Sequence, residues 1–177
     1  NVWDGLKNAG YTITSEDWLN DYKTAYDEGE EDWQGGMWGS FSLPDTEITD
    51  ANIEAASDAD TAVYVIARNS GEGADRKNEK GDYQLTDIEY ANLQKLGANF
   101  ENVVVVLNVG GIVDTKFFHE IVGLDSLLLM SQAGMEGGNA LADVISGKVT
   151  PSGKLTDTWA VDYEDYPSSD TFSSNDG

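Results

Sequence analysis

TAVYVIA, residues 61–67, is an unbroken apolar run rich in β-branched side chains. A strand with one wet face alternates apolar and polar residues. A continuous run predicts burial on both faces, which is the habit of a parallel sheet. The pattern recurs twice, in ENVVVVLNV at 101–109 and SLLLMS at 126–131. The predicted strands are Thr61–Ala67, Asn102–Asn108 and Ser126–Met130. Helical signals separate them. Thr86 with Glu89 three positions on makes a capping box, and Ile88, Leu93 and Leu96 fall near one face of the helix that follows. FFHEIVGLD (117–125) reads as a short helix. MEGGNALADVISG (135–147) reads as a longer one, with Leu141, Val144 and Ile145 inward and Gly147 at its end. Strand and helix in alternation predict a doubly wound α/β fold, a mostly parallel sheet sandwiched by helices in the flavodoxin-like manner.

Upstream, VWDGLKNAG (2–10) reads as the end of a helix and YTIT (11–14) as a short strand. Ser15 caps a helix carrying Trp18, Leu19, Tyr22 and Tyr26 near one face. Periodicity then fades in DEGEEDWQGGMWGS (27–40), which reads as an acidic loop; Trp33 and Trp38 are its anchors, an aromatic rim for a flat apolar ligand such as a sugar ring, or a contact with another domain. ITDANIEAASDAD (48–60) reads as a helix capped near Thr49 or Asp50. PSGKLTDTWA (151–160) is a turn and an extended piece, and the polar run from Asp162 reads as linker or tail. The domain is placed at 1–167 and an acidic tail at 168–177.

Composition bounds the chemistry. The 177 residues suffice for one well-buried domain. The net charge of -23 disfavours nucleic acid and anionic membranes as partners. No apolar run approaches the roughly 20 residues that span a bilayer. The chain has no cysteine, and His119 is its single histidine. Disulfides, thiolate metal sites and multi-histidine zinc sites are therefore excluded within it, and no metal or cofactor is expected. No signal-peptide pattern opens the sequence.

Ligands of doubly wound sheets gather beyond the carboxyl ends of the strands. Three glycine-bearing segments leave those ends: SGEGADR (70–76), NVGGIVD (108–114) and QAGMEGG (132–138). None is a dinucleotide fingerprint or a Walker A loop. MEGG could offer N–H groups to an anion, but Glu136 at the same helix end would repel one. No serine–histidine–carboxylate triad can be assigned, and His119, among Phe117, Phe118 and Ile121, reads as an ordinary core or surface histidine. Glu72, held between two glycines, has three readings: a solvated carboxylate, a structural acceptor, or a catalytic acid/base. Asp75 and Arg76 can form a charge-assisted pair that braces the loop.

SGEGADRKNEKGDYQLTDIE (70–89), NVVVVLNVGGIVD (102–114) and GMEGGNALADVISGKVTPSGKLTDTWA (134–160) resemble the second domain of glycoside hydrolase family 3, which includes bacterial β-glucosidases and β-xylosidases. The likeness runs from about Val2 to Pro167. It implies an α/β sandwich that lends a general acid/base to a retaining enzyme, while a (β/α)8 barrel supplies the aspartate nucleophile. A β-linked sugar binds between the two. It implies Glu72 as the acid/base, and Arg68 or Arg76, with Asp75, as loop supports or substrate contacts. The barrel, and the sandwich strand expected just before Val2, are not in this sequence. The resemblance therefore implies a domain of a larger bacterial glycosidase, cytoplasmic or secreted, with no nucleophile of its own and no activity as an isolated chain. Beside it stands a second class: a structural or carbohydrate-contacting module without chemistry.

Overall fold

The structure is a computed structural model that describes residues 1–33, 41–69 and 76–171. Strands β1 (Thr61–Arg68), β2 (Asn102–Val109) and β3 (Ser126–Leu129) lie side by side in that order, parallel throughout. Thr61 pairs with Asn102 and Arg68 with Val109, so β1 and β2 end level at one edge. Helix α4 (Asp87–Asn99) crosses between β1 and β2, and α5 (Phe117–Glu120) between β2 and β3. The expected doubly wound, parallel α/β sheet is what forms.

The middle strand carries the core. Val103, Val105, Leu107 and Val109 of β2 pack with Ile66, with Leu93 and Leu96 of α4, and with Phe117 and Ile121. Val106 points the other way and is equally buried, so both faces of β2 are covered. The outer strands differ from expectation. In β1 only Ile66 is fully buried, and Val65 is exposed; Leu129 of β3 is exposed too. Each has a neighbour on one side only among the described residues. In α4 the buried seam is Glu89, Asn92, Leu93 and Leu96, spaced i, i+3, i+4, i+7. Ile88, read near one face with Leu93 and Leu96, stands about one-quarter turn off that seam and is exposed. In α6 (Gly137–Ile145) Leu141 is buried, and Val144 and Ile145 are half-buried.

Helix α1 (Val2–Asn8) packs against α6 through two glycines. A Cβ on Gly5 would lie 2.0 Å from the Gly138 carbonyl oxygen, so only glycine permits this approach. YTIT forms no strand; it has no sheet neighbour among the described residues, and Tyr11 is exposed. Helix α2 (Glu16–Asp32) runs past the point where periodicity fades, through residues read as loop. Gly29 sits inside it because the Phe41 ring occupies the space of its absent side chain. Helix α3 (Asp50–Ala55) is capped by Thr49, reciprocated by Asn52. The acidic run from Asp162, read as a tail, makes a 3-10 turn at Tyr163–Asp165, and Tyr163 packs edge-on against Tyr83 at 5.1 Å.

Candidate functional site

The level ends of β1 and β2 define the edge where a site is expected. β1 ends on Arg68, and the chain is described again from Arg76. Glu72 and Asp75 lie outside the described residues, as does Trp38. The residues on either side are held tightly.

Arg68 is almost wholly buried, and each of its five N–H groups has an acceptor. Nη1 and Nη2 form a two-pronged pair with the Glu89 carboxylate at 2.8 and 2.6 Å. The remaining bonds go to carbonyl oxygens: Nε to Asp82, Nη1 to Ala67 and Nη2 to Gln84. Burial works against the Arg68 charge, but the Glu89 carboxylate outweighs it and holds the guanidinium pKa above its ordinary value. Glu89 also accepts the Thr86 N–H at 2.9 Å, while Thr86 Oγ1 accepts the Glu89 N–H. The capping box read from the sequence thus doubles as the anchor of Arg68.

Arg76 donates from Nε to the Asp82 carboxylate and from Nη2 to the Asp82 carbonyl, at 2.6 and 2.7 Å. Its Nη1 reaches the Ile112 carbonyl at 2.6 Å, in the loop that leaves β2. Gly111 admits it: a Cβ there would sit 3.1 Å from Nη1. The other Asp82 carboxylate oxygen accepts the Lys77 N–H. Among the described residues, the carboxylate partner of Arg76 is Asp82. Asp82 and Glu89 were not singled out as site residues; their signal lies in the folded turn between them and the arginines, not in sequence adjacency.

Beside Arg76 opens a hollow of about 270 Å³, lined by Tyr83, Gly111, Ile112, Tyr163 and Tyr166. Tyr83 and Tyr163 meet edge to face, Tyr166 lies edge-on to Tyr163, and the Tyr166 hydroxyl accepts the Ala160 N–H at 2.8 Å. Burial, and then the neighbouring Tyr166, push the Tyr83 pKa above its ordinary value. A larger hollow, about 350 Å³, lies between α4 and α5 beside Tyr90, Lys116 and Glu120. The carboxylates at this edge are largely committed: Asp114 accepts the Lys116 N–H, and Lys116 pairs with Asp162. Glu79 is exposed on the turn. His119 is exposed on α5, edge-on to Phe118. Trp33 closes α2 as its C-cap and is exposed. Among the described residues no cluster of His, Cys, Asp or Glu could hold a metal ion, and no helix is long and apolar enough to cross a membrane.

The family model described as "Glycosyl hydrolase family 3 C-terminal domain" matches residues 1–176. The chain is 40% identical over 181 residues to a β-glucosidase of Ruminococcus albus, covering 99% of this chain and 18% of that protein. It is 40% identical over 163 residues to β-glucosidase A of Butyrivibrio fibrisolvens, covering 80% of this chain and 19% of that one. Among solved structures it superposes on β-glucosidase 3B of Thermotoga neapolitana in complex with glucose, with TM-score 0.82 and 34% identity, over 95% of this chain and 24% of that one. A β-glucosidase from Paenibacillus barengoltzii superposes with TM-score 0.82 and 32% identity, over 97% of this chain and 19% of that one. The chain thus spans about a fifth of the length of the curated relatives it matches.

Proposed function

The chain belongs to the glycosyl hydrolase family 3 C-terminal domain family, and from that premise we propose that it is the acid/base-carrying domain of a retaining, β-glucosidase-like glycosidase. Glu72 is the acid/base. A (β/α)8 barrel domain of the same enzyme supplies the nucleophile, and a β-linked sugar binds between the two. The relatives named above are β-glucosidases, and the match is strong over nearly all of this chain. The observation that carries the site reading is positional. Glu72 lies in the segment that leaves the carboxyl end of β1, and the arginines on either side of that segment, Arg68 and Arg76, are both anchored at that edge. In this reading the two arginines support the loop, Arg68 with every donor already engaged.

The chemistry needs a carboxylic acid to protonate the departing oxygen while a carboxylate about 5–5.5 Å away attacks the sugar. The first group then acts as base, activating the water that releases the glycosyl-enzyme. The glycines flanking Glu72 suit a group that must reach across a cleft.

The test is Glu72→Ala in the full-length protein. Substrates with poor leaving groups should lose kcat/KM by about 10²–10⁴-fold, the usual worth of a general acid. A dinitrophenyl glycoside should lose far less in its first step, and the covalent intermediate should accumulate as a burst. Azide is anionic and needs no base, so it should restore turnover and yield a glycosyl azide. An equal, azide-insensitive loss across leaving groups would move the assignment to Asp75 or Glu79.

A further inference from the structure

The two arginines that bracket residues 69–75 meet at a single atom. Arg68 Nε and Arg76 Nη2 both donate to the Asp82 carbonyl oxygen, at 2.9 and 2.7 Å. Two cations converging on one acceptor repel each other. The arrangement holds because each has its own carboxylate: Glu89 for Arg68, and the Asp82 side chain for Arg76. Asp82 therefore contributes three contacts to the clamp, a carbonyl shared by both guanidiniums, one carboxylate oxygen on Arg76 and the other on the Lys77 N–H. Arg76 extends the clamp to the Ile112 carbonyl beyond β2. Four pieces of chain are tied at one point: the end of β1, the 76–84 turn, the start of α4 and the 110–112 loop.

We propose that Asp82 is a positioning residue for the acid/base. It holds Arg68 and Arg76, the two stems of the Glu72 segment, in a fixed relation. The inference rests on Glu72 being the acid/base. Arg68 and Arg76 are the side chains on either side of that segment that are anchored at this edge. Proton transfer is unforgiving of position: a misplacement of about 1 Å can cost on the order of 10²-fold. A carboxylate that also neutralises Arg76 and fixes the Lys77 amide sets one stem directly, and sets the other through the shared carbonyl.

The experiment compares Asp82→Asn with Asp125→Asn in the full-length protein. Asn is nearly isosteric. It cannot accept the Lys77 N–H from its amide nitrogen, and it leaves Arg76 without its counter-charge. Asp125 is the matched control: its carboxylate accepts the Val103 N–H at 2.7 Å, but at the amino end of β2, away from the clamp. Asp82→Asn should lower kcat/KM about 10–100-fold for alkyl or cellobiose-type leaving groups and change the dinitrophenyl glycoside little. For the activated substrate kcat and KM should fall together, because the second step still needs the base. Asp125→Asn should show no dependence on leaving group. Arg76→Lys keeps the charge but cannot hold Asp82 and Ile112 together through one planar fork, and it should show the same signature, so it answers the question where Asp82→Asn fails to fold. Equal losses for both leaving groups, or none, in a folded variant would overturn the positioning role. Glu72→Ala is measured alongside. If it lacks the leaving-group signature, the acid/base assignment has failed and the positioning role with it. If it shows the signature and both clamp variants do not, the positioning role alone has failed.

Discussion

The Arg68–Glu89 pair makes a quantitative prediction about what holds this edge together. Replacing one partner with methionine keeps the bulk and leaves the other as an unpaired buried charge. The two side chains are only 9% and 6% exposed, so little solvent is at hand to compensate. Breaking such a pair costs about 3–5 kcal/mol, and Arg68→Met should lose at least that, because it also withdraws the donors to the carbonyls of Ala67, Asp82 and Gln84. Glu89→Met should cost about 4–6 kcal/mol, because Glu89 also accepts the Thr86 N–H and that cap adds about 1 kcal/mol. In the double variant no buried charge remains. What is lost is the cap and the donors to the carbonyls of Ala67, Asp82 and Gln84, together about 3–5 kcal/mol. The double variant should therefore fall short of the sum of the singles by about 3 kcal/mol or more. The assay is urea unfolding of the 177-residue chain with a common slope, run as a double-mutant cycle with Thr86→Ala as the cap-only reference. Additivity to within about 0.5 kcal/mol would refute the reasoning, as would a Glu89→Met loss no larger than that of Thr86→Ala.

Two further outcomes follow from packing and burial. Gly5→Ala places a Cβ 2.0 Å from the Gly138 carbonyl, so it should destabilise by about 1–3 kcal/mol despite the better helix propensity of alanine, whereas Gly153→Ala, with open space around it, should stay within about 0.5 kcal/mol; equal melting of the two would show that α1 does not seat on α6. Burial pushes Tyr64 up from 10.0 to about 12 in the folded chain. A raised folded pKa gives stability that is whole below the unfolded value and lost as pH climbs through the folded one. Unfolding midpoints should thus fall between about pH 10 and 12, and less steeply in Tyr64→Phe; an unchanged slope in that variant would remove Tyr64 from the account.

The sheet was legible because its signal is continuous. β2 needs apolar residues on both faces, and its sequence shows them; the same inference overstated β1 and β3, since an apolar run does not reveal which strand lies in the middle. Capping was legible because it is local, and Thr49 and Thr86 both cap where expected. The far half of α2 was not. Acidic residues and Gly29 argue against a helix by propensity, and Phe41, packing from beyond the helix end, overrides them. YTIT failed for the complementary reason: a strand exists only through a partner, and local β propensity cannot supply one.

The site divides along the same line. Glu72 stands out in the sequence because a motif defines it, whereas the residues that would hold its segment are defined by geometry. Reading by adjacency offers Arg76 a partner in Asp75, which lies outside the described residues. The observed partner is Asp82, six positions on, carried back by a turn in which the Gly81 N–H donates to the Gln84 carbonyl and Gly81 adopts a positive φ of 86°. That return is what brings the Asp82 carbonyl within reach of both arginines. Glu89 shows the converse. Its local role as a helix cap was plain, and its second role, as the counter-charge of Arg68, depends on α4 crossing back over the end of β1. A carboxylate with one local and one distant partner reads as satisfied from the sequence alone. The supports of a catalytic loop are therefore best sought among residues whose obvious local function leaves acceptor capacity to spare.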